Sequence, residues 1–330
     1  MPFFCPKFKK HVMITDIFLP NKNSKMSDIN VSAGLAKNFK RHLAERIIES
    51  GLFLSAAVAV FITTAIVYVL VTEAIPFFQH VSIYDFLTDT VWTPNYSIKH
   101  YGISALVAGT LTTTMIALVV AVPLGTLTAI YLSEFASHKV RETIKPILEL
   151  LVGVPTVVFG YFALMLVTPL LQQIYPDLTT FNMLGPGIVM GIMIVPYIAS
   201  VSEDAMRAVP MAMREGAYAM GATRFQTAIK VIAPAATSGI VASYILAISR
   251  AVGETMIVAI AAGQQPNFTF NPVESAATIT AYIVSVALGD LEHGTVGYQS
   301  IFAAGLTLLV MTLLLNILGH WVRKRYAERY

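Results

Sequence analysis

Six long apolar stretches separated by polar segments organise the chain: roughly 51–72, 103–132, 147–171, 184–201, 237–262 and 301–322. An α-helix of about 20 apolar residues crosses the hydrocarbon core of a bilayer. Each stretch therefore predicts a membrane-spanning helix. The second is long for one crossing, which predicts a tilt or an extension past the membrane. Pro155 and Pro196 fall within stretches. Neighbouring helices can satisfy the carbonyls that a proline frees, so both are expected to kink a span rather than end it.

The polar segments differ in their basic content. Lysine and arginine number nine in residues 1–49. Then come one, three, none, four and none in the successive loops, and four after the last span. Basic residues accumulate on the cytoplasmic side, so this alternation places both termini and the loop around Glu215 in the cytoplasm. The expected organisation is a polar cytoplasmic leader (1–49), a transmembrane domain (50–322) with a cytoplasmic coupling loop (203–235), and a cytoplasmic tail (323–330). Residues 20–40 are polar with little helical periodicity, so much of the leader is expected to be mobile. The first apolar run begins too late for a secretory signal.

Composition agrees with this pattern. Hydrophobic residues make up 56% and charged residues 12%, with a mean hydropathy of +0.68. A soluble chain would carry about 25% charge. The expected class is an all-α integral membrane protein with the lipid bilayer as its solvent. A net charge of +3 without a basic stripe argues against nucleic acid as a partner. The single cysteine, Cys5, excludes an intrachain disulfide and a cysteine-built metal site, and the seven histidines are scattered, so no metal is expected. The chain lacks a GxxxxGK[ST] phosphate cradle, so it is not expected to hydrolyse ATP or to hold a cofactor. An autonomous channel or secondary transporter is the rival class. No internal symmetry of the kind such transporters often show is visible.

Two polar features invite chemistry. Residues 203–235 read as two short helices joined by a turn, with Pro210 suited to a first helical turn. Arg214, Glu215, Gly216, Ala217, Gly221 and Ala222 give the first helix an adhesive, small-residue face. Gly221 suits a helix end because glycine enters the left-handed region cheaply. Such a helix either docks in a partner's groove or lies in the membrane interface. The second feature is Arg250 with Glu254, four residues apart in the fifth span. An arginine at the centre of a membrane helix costs about 2.5–3.5 kcal/mol, which implies a partner or a water-filled cavity. The pair either lines a pathway, with a forked guanidinium matched to an oxyanion, or is a structural ion pair between helices.

The element Glu215-x-Ala217-x-x-x-Gly221, followed by Val231-x-Ala233-Pro234, resembles the EAA loop of binding-protein-dependent ABC importers. Gly216 stands where alanine is usual, and Ala233-Pro234 where Leu-Pro is usual. Four further segments resemble the PstC-type permeases of phosphate importers. They are Gly109-Thr110-Leu111 with Ala121 to Gly125 and Tyr131 to Phe135; Lys145-Pro146 through Gly153-Val154-Pro155 and Gly160; Pro196 to Val201; and Arg250-Ala251-Val252-Gly253-Glu254-Thr255-Met256. The resemblance covers roughly 100–260 and does not extend to the leader. It implies six transmembrane helices of the type I ABC importer permease kind, with the 211–234 loop docking on an ATPase. It implies that ATP is used by that partner and not by this chain. It also implies three kinds of protein partner: a second, PstA-like permease, two PstB-like ATPase subunits and a PstS-like phosphate-binding protein. In that family an arginine and a glutamate matching Arg250 and Glu254 are implicated in translocation. A permease for another oxyanion, molybdate or sulfate, would share this architecture.

Overall fold

The computed structural model describes residues 27–94 and 96–325, with side chains from Glu45 onward, Asp290 excepted. The chain divides into two units, residues 1–65 and 66–330. The described part of the first unit is helical from Ser27, within helix α1 (Ser27–His80). No proline interrupts the sequence between Pro20 and Pro76, and the helix runs through the second half of the leader, where polarity alone predicted a mobile segment. Residues 1–26 of the leader lie outside the described residues. From Glu45 to Thr64 the side chains are exposed, large apolar ones such as Leu52, Phe53 and Phe61 included.

The second unit begins with the rest of α1 and continues through α2 (Ile83–Thr88) and α3 (Ser104–Ile130), which ends in a widened π-type turn, Tyr131–Phe135. After α4 (His138–Val152) come α5 (Thr156–Phe162), a π-type turn Ala163–Val167, and α6 (Thr168–Ile174) as one continuous rod. Then follow α7 (Leu184–Arg207), α8 (Met211–Ala219), α9 (Arg224–Thr227), a π-type turn Ala228–Ile232 and α10 (Ala233–Ala235). The chain closes with α11 (Thr237–Val252), α12 (Met256–Ala261), α13 (Ile279–Ser285), a π-type turn Val286–Asp290, and α14 (Val296–Arg325). The described residues contain no strand, only one bridge between Trp92 and Tyr101.

Among the described residues, five segments are long and apolar enough to cross a membrane: Glu45–His80, Ser104–Phe135, Thr156–Ile174, Leu184–Arg207 and Val296–Arg325. A sixth arises if Arg224–Ala235 and Thr237–Val252, bent by 72°, count together. The fold is therefore the expected all-helical membrane architecture, but helix breaks move two boundaries inside the apolar runs. The third span starts at Thr156, not at 147. Pro155 has an extended ψ of 133° and caps α5, so it ends one helix and starts the next rather than kinking a continuous one. Residues 147–152 belong instead to the amphipathic α4. The fifth span stops at Val252, because the chain leaves the helix at Gly253–Thr255 before α12 begins. Pro196, by contrast, does lie inside its helix, α7.

α3 and α7 form the centre of the second unit and run parallel. A Cβ on Gly187 would meet Ile116, and one on Gly191 would lie 2.7 Å from Val120 Cβ and 2.8 Å from the Ala117 carbonyl oxygen. Small residues let membrane helices approach closely where water supplies no hydrophobic drive. Ala117, Ala121, Val189, Met190, Met193, Ile194 and Ile198 fill this core together with Ala247 and Ala251 of α11. α11 runs antiparallel to α7, tied by a hydroxyl pair, Ser202–Ser243, at 2.8 Å. On its other side Ser249 donates to Asn316 of α14 at 2.9 Å. At the end whose loops are nearly free of basic residues, Phe77, Phe86, Trp92, Tyr101 and Tyr282 pack edge to face. There Thr110 of α3 accepts the Ile279 amide of α13 at 3.1 Å.

Candidate functional site

Arg250 is on the last turn of α11, on an exposed stripe with Leu246 and Gly253. Its side chain is 42% exposed. Glu254 is not on the same helix face, as four-residue spacing suggested. It sits in the break between α11 and α12, with its side chain only 3% exposed. Its Oε1 accepts the Ile257 amide at 3.5 Å in the first turn of α12, and its own carbonyl accepts the Thr280 hydroxyl at 2.7 Å. The break at Gly253 turns the carboxylate inward behind the arginine. The two charges stand 3.7 Å apart, an ion pair longer than a good hydrogen bond. Glu254 therefore neutralises Arg250 without holding its donors. The guanidinium also lies 6.0 Å from the ring centre of Tyr197 on α7, at the reach of a cation–π contact. Lipid cannot solvate such a group, so this face must meet water or another protein.

The second site is built around α8. The helix closes on Met220 and Gly221, where the Gly221 amide donates to the Tyr218 carbonyl at 2.9 Å and the Ala222 amide to that of Ala217 at 3.0 Å. This double closure needs a left-handed residue, and Gly221 supplies it with φ of +82°. Thr223 and Gln226 then form a reciprocal cap that starts α9. Pro210 precedes α8 as its cap rather than standing in its first turn. Met211, Glu215, Gly216, Tyr218, Met220 and Phe225 face outward, and Ala217 and Ala222 are partly covered. A Cβ on Gly216 would meet nothing within 4 Å, so the chain's own packing does not require glycine there. Arg214, grouped with these residues in the sequence, is turned the other way and buried. It pairs with Glu134 at 2.9 Å.

A third polar cluster lay outside the candidates. Glu203 and Asp204, read as starting a loop, belong to the last turns of α7. The Glu203 carboxylate is fully buried and meets Arg141 Nε at 2.7 Å, Lys145 Nζ at 2.9 Å and Arg207 Nε at 3.7 Å. Lys145 also reaches Asp204 at 2.7 Å. Burial alone would lower the Lys145 pKa, but the hydrogen bonds and charges of Asp204 and Glu203 outweigh it and lift the ammonium above its ordinary value. The cluster fastens α4 to α7. Among the described residues, no group of three histidine, cysteine, aspartate or glutamate side chains could hold a metal ion.

A family model described as the inner membrane component of binding-protein-dependent transport systems matches residues 121–328. The probable ABC transporter permease protein YqgH of Bacillus subtilis is 36% identical over 74% of this chain and 79% of its own. The probable phosphate transport system permease protein PstC of Methanocaldococcus jannaschii is 30% identical, over 78% of this chain and 86% of its own. PstC of Haemophilus influenzae is 33% identical over 71% and 79%. Among solved structures, a bacterial ABC transporter involved in the import of alginate superposes with a TM-score of 0.53 at 18% identity, covering 79% of this chain and 96% of that one. The inward-facing MetNI methionine transporter does so with a TM-score of 0.50 at 18% identity, covering 68% and 94%. At these identities the two structures speak for the fold alone.

Proposed function

The chain belongs to the family of inner-membrane components of binding-protein-dependent transport systems, and from that premise we propose that it forms half of the translocation pathway of an ATP-driven phosphate importer. As a family member it is a multi-pass permease subunit of an ABC importer in the inner membrane. Its relatives named as phosphate permeases support phosphate as the cargo. The observation that carries the pathway assignment is the half-exposed Arg250 backed by the buried Glu254. A guanidinium with open, planar donors suits a tetrahedral oxyanion. The carboxylate behind it keeps the site from holding the anion too tightly, since conduction requires release as well as binding.

A second, related permease completes the pore. Two ATPase subunits dock below the completed pore, one of them on α8 through Glu215, Gly216, Ala217, Gly221 and Ala222, and they, not this chain, hydrolyse ATP. A phosphate-binding protein delivers the anion on the opposite face, where the loops carry almost no basic residues. Both termini and the 203–235 loop are cytoplasmic, with the transmembrane domain over 50–322.

The test is uptake of radiolabelled phosphate by the reconstituted complex, with and without ATP, in competition with sulfate and molybdate. ATP-dependent uptake that neither competitor reduces is expected. Uptake blocked by molybdate or sulfate at equal concentration would transfer the assignment to another oxyanion. Uptake without ATP would contradict the importer reading.

A further inference from the structure

We propose that Arg214 is a positioning residue that passes movement of the docking helix to α3 and α7, and makes no contact with the ATPase itself. The inference rests on the reading of α8 as the docking helix. Arg214 is 9% exposed, and its three guanidinium nitrogens donate to three separate stretches of the chain. Nη2 donates to Glu134 Oε1 at 2.9 Å, and Nε reaches the same carboxylate at 3.3 and 3.4 Å. Nη2 also donates to the Met206 carbonyl at 2.8 Å, and Nη1 to the Val209 carbonyl at 2.7 Å. The first target lies on the π-type turn that ends α3. The second lies in the last turn of α7, and the third just beyond it. Glu134 is itself nearly buried, with its side chain 5% exposed, and accepts from Ser133 at 2.8 Å.

Two physical points give this clamp its meaning. α8 is joined covalently to α7 and, through α9 and α10, to α11, but α3 is remote in sequence. Among the described residues, the hydrogen bonds and ion pairs between α8 and the end of α3 all run through Arg214. The planar fork is also needed as a fork: a lysine gathers its three donors on one nitrogen, whereas the acceptors here are met by three separate nitrogens. A push on α8 thus reaches the parallel α3–α7 pair, and α7 carries Tyr197 beside Arg250. The clamp is a continuous route of fixed contacts from the docking surface to the pathway arginine.

The test uses the whole complex, purified with its ATPase and binding protein and reconstituted into proteoliposomes. Two quantities are measured per assembled permease: the ATPase recovered with it, and inorganic phosphate imported per ATP hydrolysed. For Arg214→Lys and Glu134→Gln, recovered ATPase is expected to stay near wild type. Import per ATP is expected to fall about tenfold, since couplings of this kind are worth about 5- to 150-fold. Either conservative variant that assembles suffices for the measurement. Unchanged import per ATP, with only the yield reduced, would make the clamp merely structural and overturn the proposal. Loss of the ATPase from Arg214→Lys would also overturn it, because the guanidinium would then be a direct contact. A wild-type complex that recovers no ATPase would instead defeat the docking reading on which the proposal stands.

Discussion

Replacing Glu203 by glutamine removes the one charge around which Arg141, Lys145 and Arg207 gather. At an effective dielectric of about 20, a pair 3 Å apart attracts by roughly 5 kcal/mol before desolvation. Breaking a buried pair costs about 3–5 kcal/mol once the stranded charges are counted. Here Arg141, 22% exposed, can turn partly to water, and Lys145 keeps Asp204 at 2.7 Å, which favours the low end. A loss of about 3 kcal/mol corresponds to roughly a hundredfold shift in an equilibrium. Arg207→Gln provides the contrast. Its pair is 3.7 Å long and its side chain 47% exposed, so it should cost no more than about 1 kcal/mol. The assay is hydrogen exchange of the α4 amides, His138–Val152, in the assembled complex. Protection should fall about a hundredfold in Glu203→Gln, following the opening equilibrium, and at most a few-fold in Arg207→Gln. Equal effects of the two, or none from Glu203→Gln, would refute the claim that the buried carboxylate fastens α4. The Lys145 pKa is raised in the fold, so its share of this stability is fully present below the ordinary lysine value and is lost only as pH climbs through the higher folded value. The fastening should therefore not respond to pH near neutrality.

The outward surface of α8 separates two roles of glycine. Gly221→Val should break the end of α8, because φ of +82° costs an L-residue about 1–2 kcal/mol, and the ATPase recovered with the permease should drop. Gly216→Ala meets open space, so the helix should survive, and any fall in recovered ATPase reports the partner's approach. Asp89 accepts from the Val91 amide and pairs with His100 at 3.0 Å. Burial would raise its pKa, but these bonds outweigh burial and lower it from 3.8. Its contribution is therefore present above the ordinary aspartate value and lost as pH falls through the lower folded one. Asp89→Asn should cost about 0–1 kcal/mol of thermal stability at neutral pH, and the difference should vanish in strong acid. Met220→Cys, at a site 88% exposed, should resist an impermeant thiol reagent in intact cells while Thr90→Cys reacts. Labelling of the first would reverse the orientation.

Apolar runs made the membrane architecture readable, because a bilayer asks only for length and hydropathy. The helix breaks were less readable. Gly153-Val154-Pro155 and Gly253-Glu254-Thr255 lie inside apolar runs, and whether such residues kink or end a helix depends on neighbours the sequence does not name. The ends of α8 showed themselves through short-range signals, Gly221 as a stop and Pro210 as a start. Its inward anchor did not, since Glu134 lies 80 positions from Arg214. The Glu203 cluster was hidden in the same way, with Arg141 62 positions away. Hydrophobic periodicity carries no record of which distant charges meet.

The central claim is that Arg250 lines the phosphate pathway, and one measurement tests it most directly: ATP-dependent phosphate uptake per assembled complex for Arg250→Lys, Glu254→Gln and the double variant Arg250→Leu with Glu254→Leu. Arg250→Lys keeps the charge and loses the fork. It should assemble and transport poorly. Glu254→Gln should also assemble and slow uptake, because an unneutralised arginine retains the anion. The double variant should assemble and fail to transport. If instead each single variant fails to assemble and the double variant restores both assembly and wild-type uptake, the pair is a structural one and Arg250 has no part in moving phosphate.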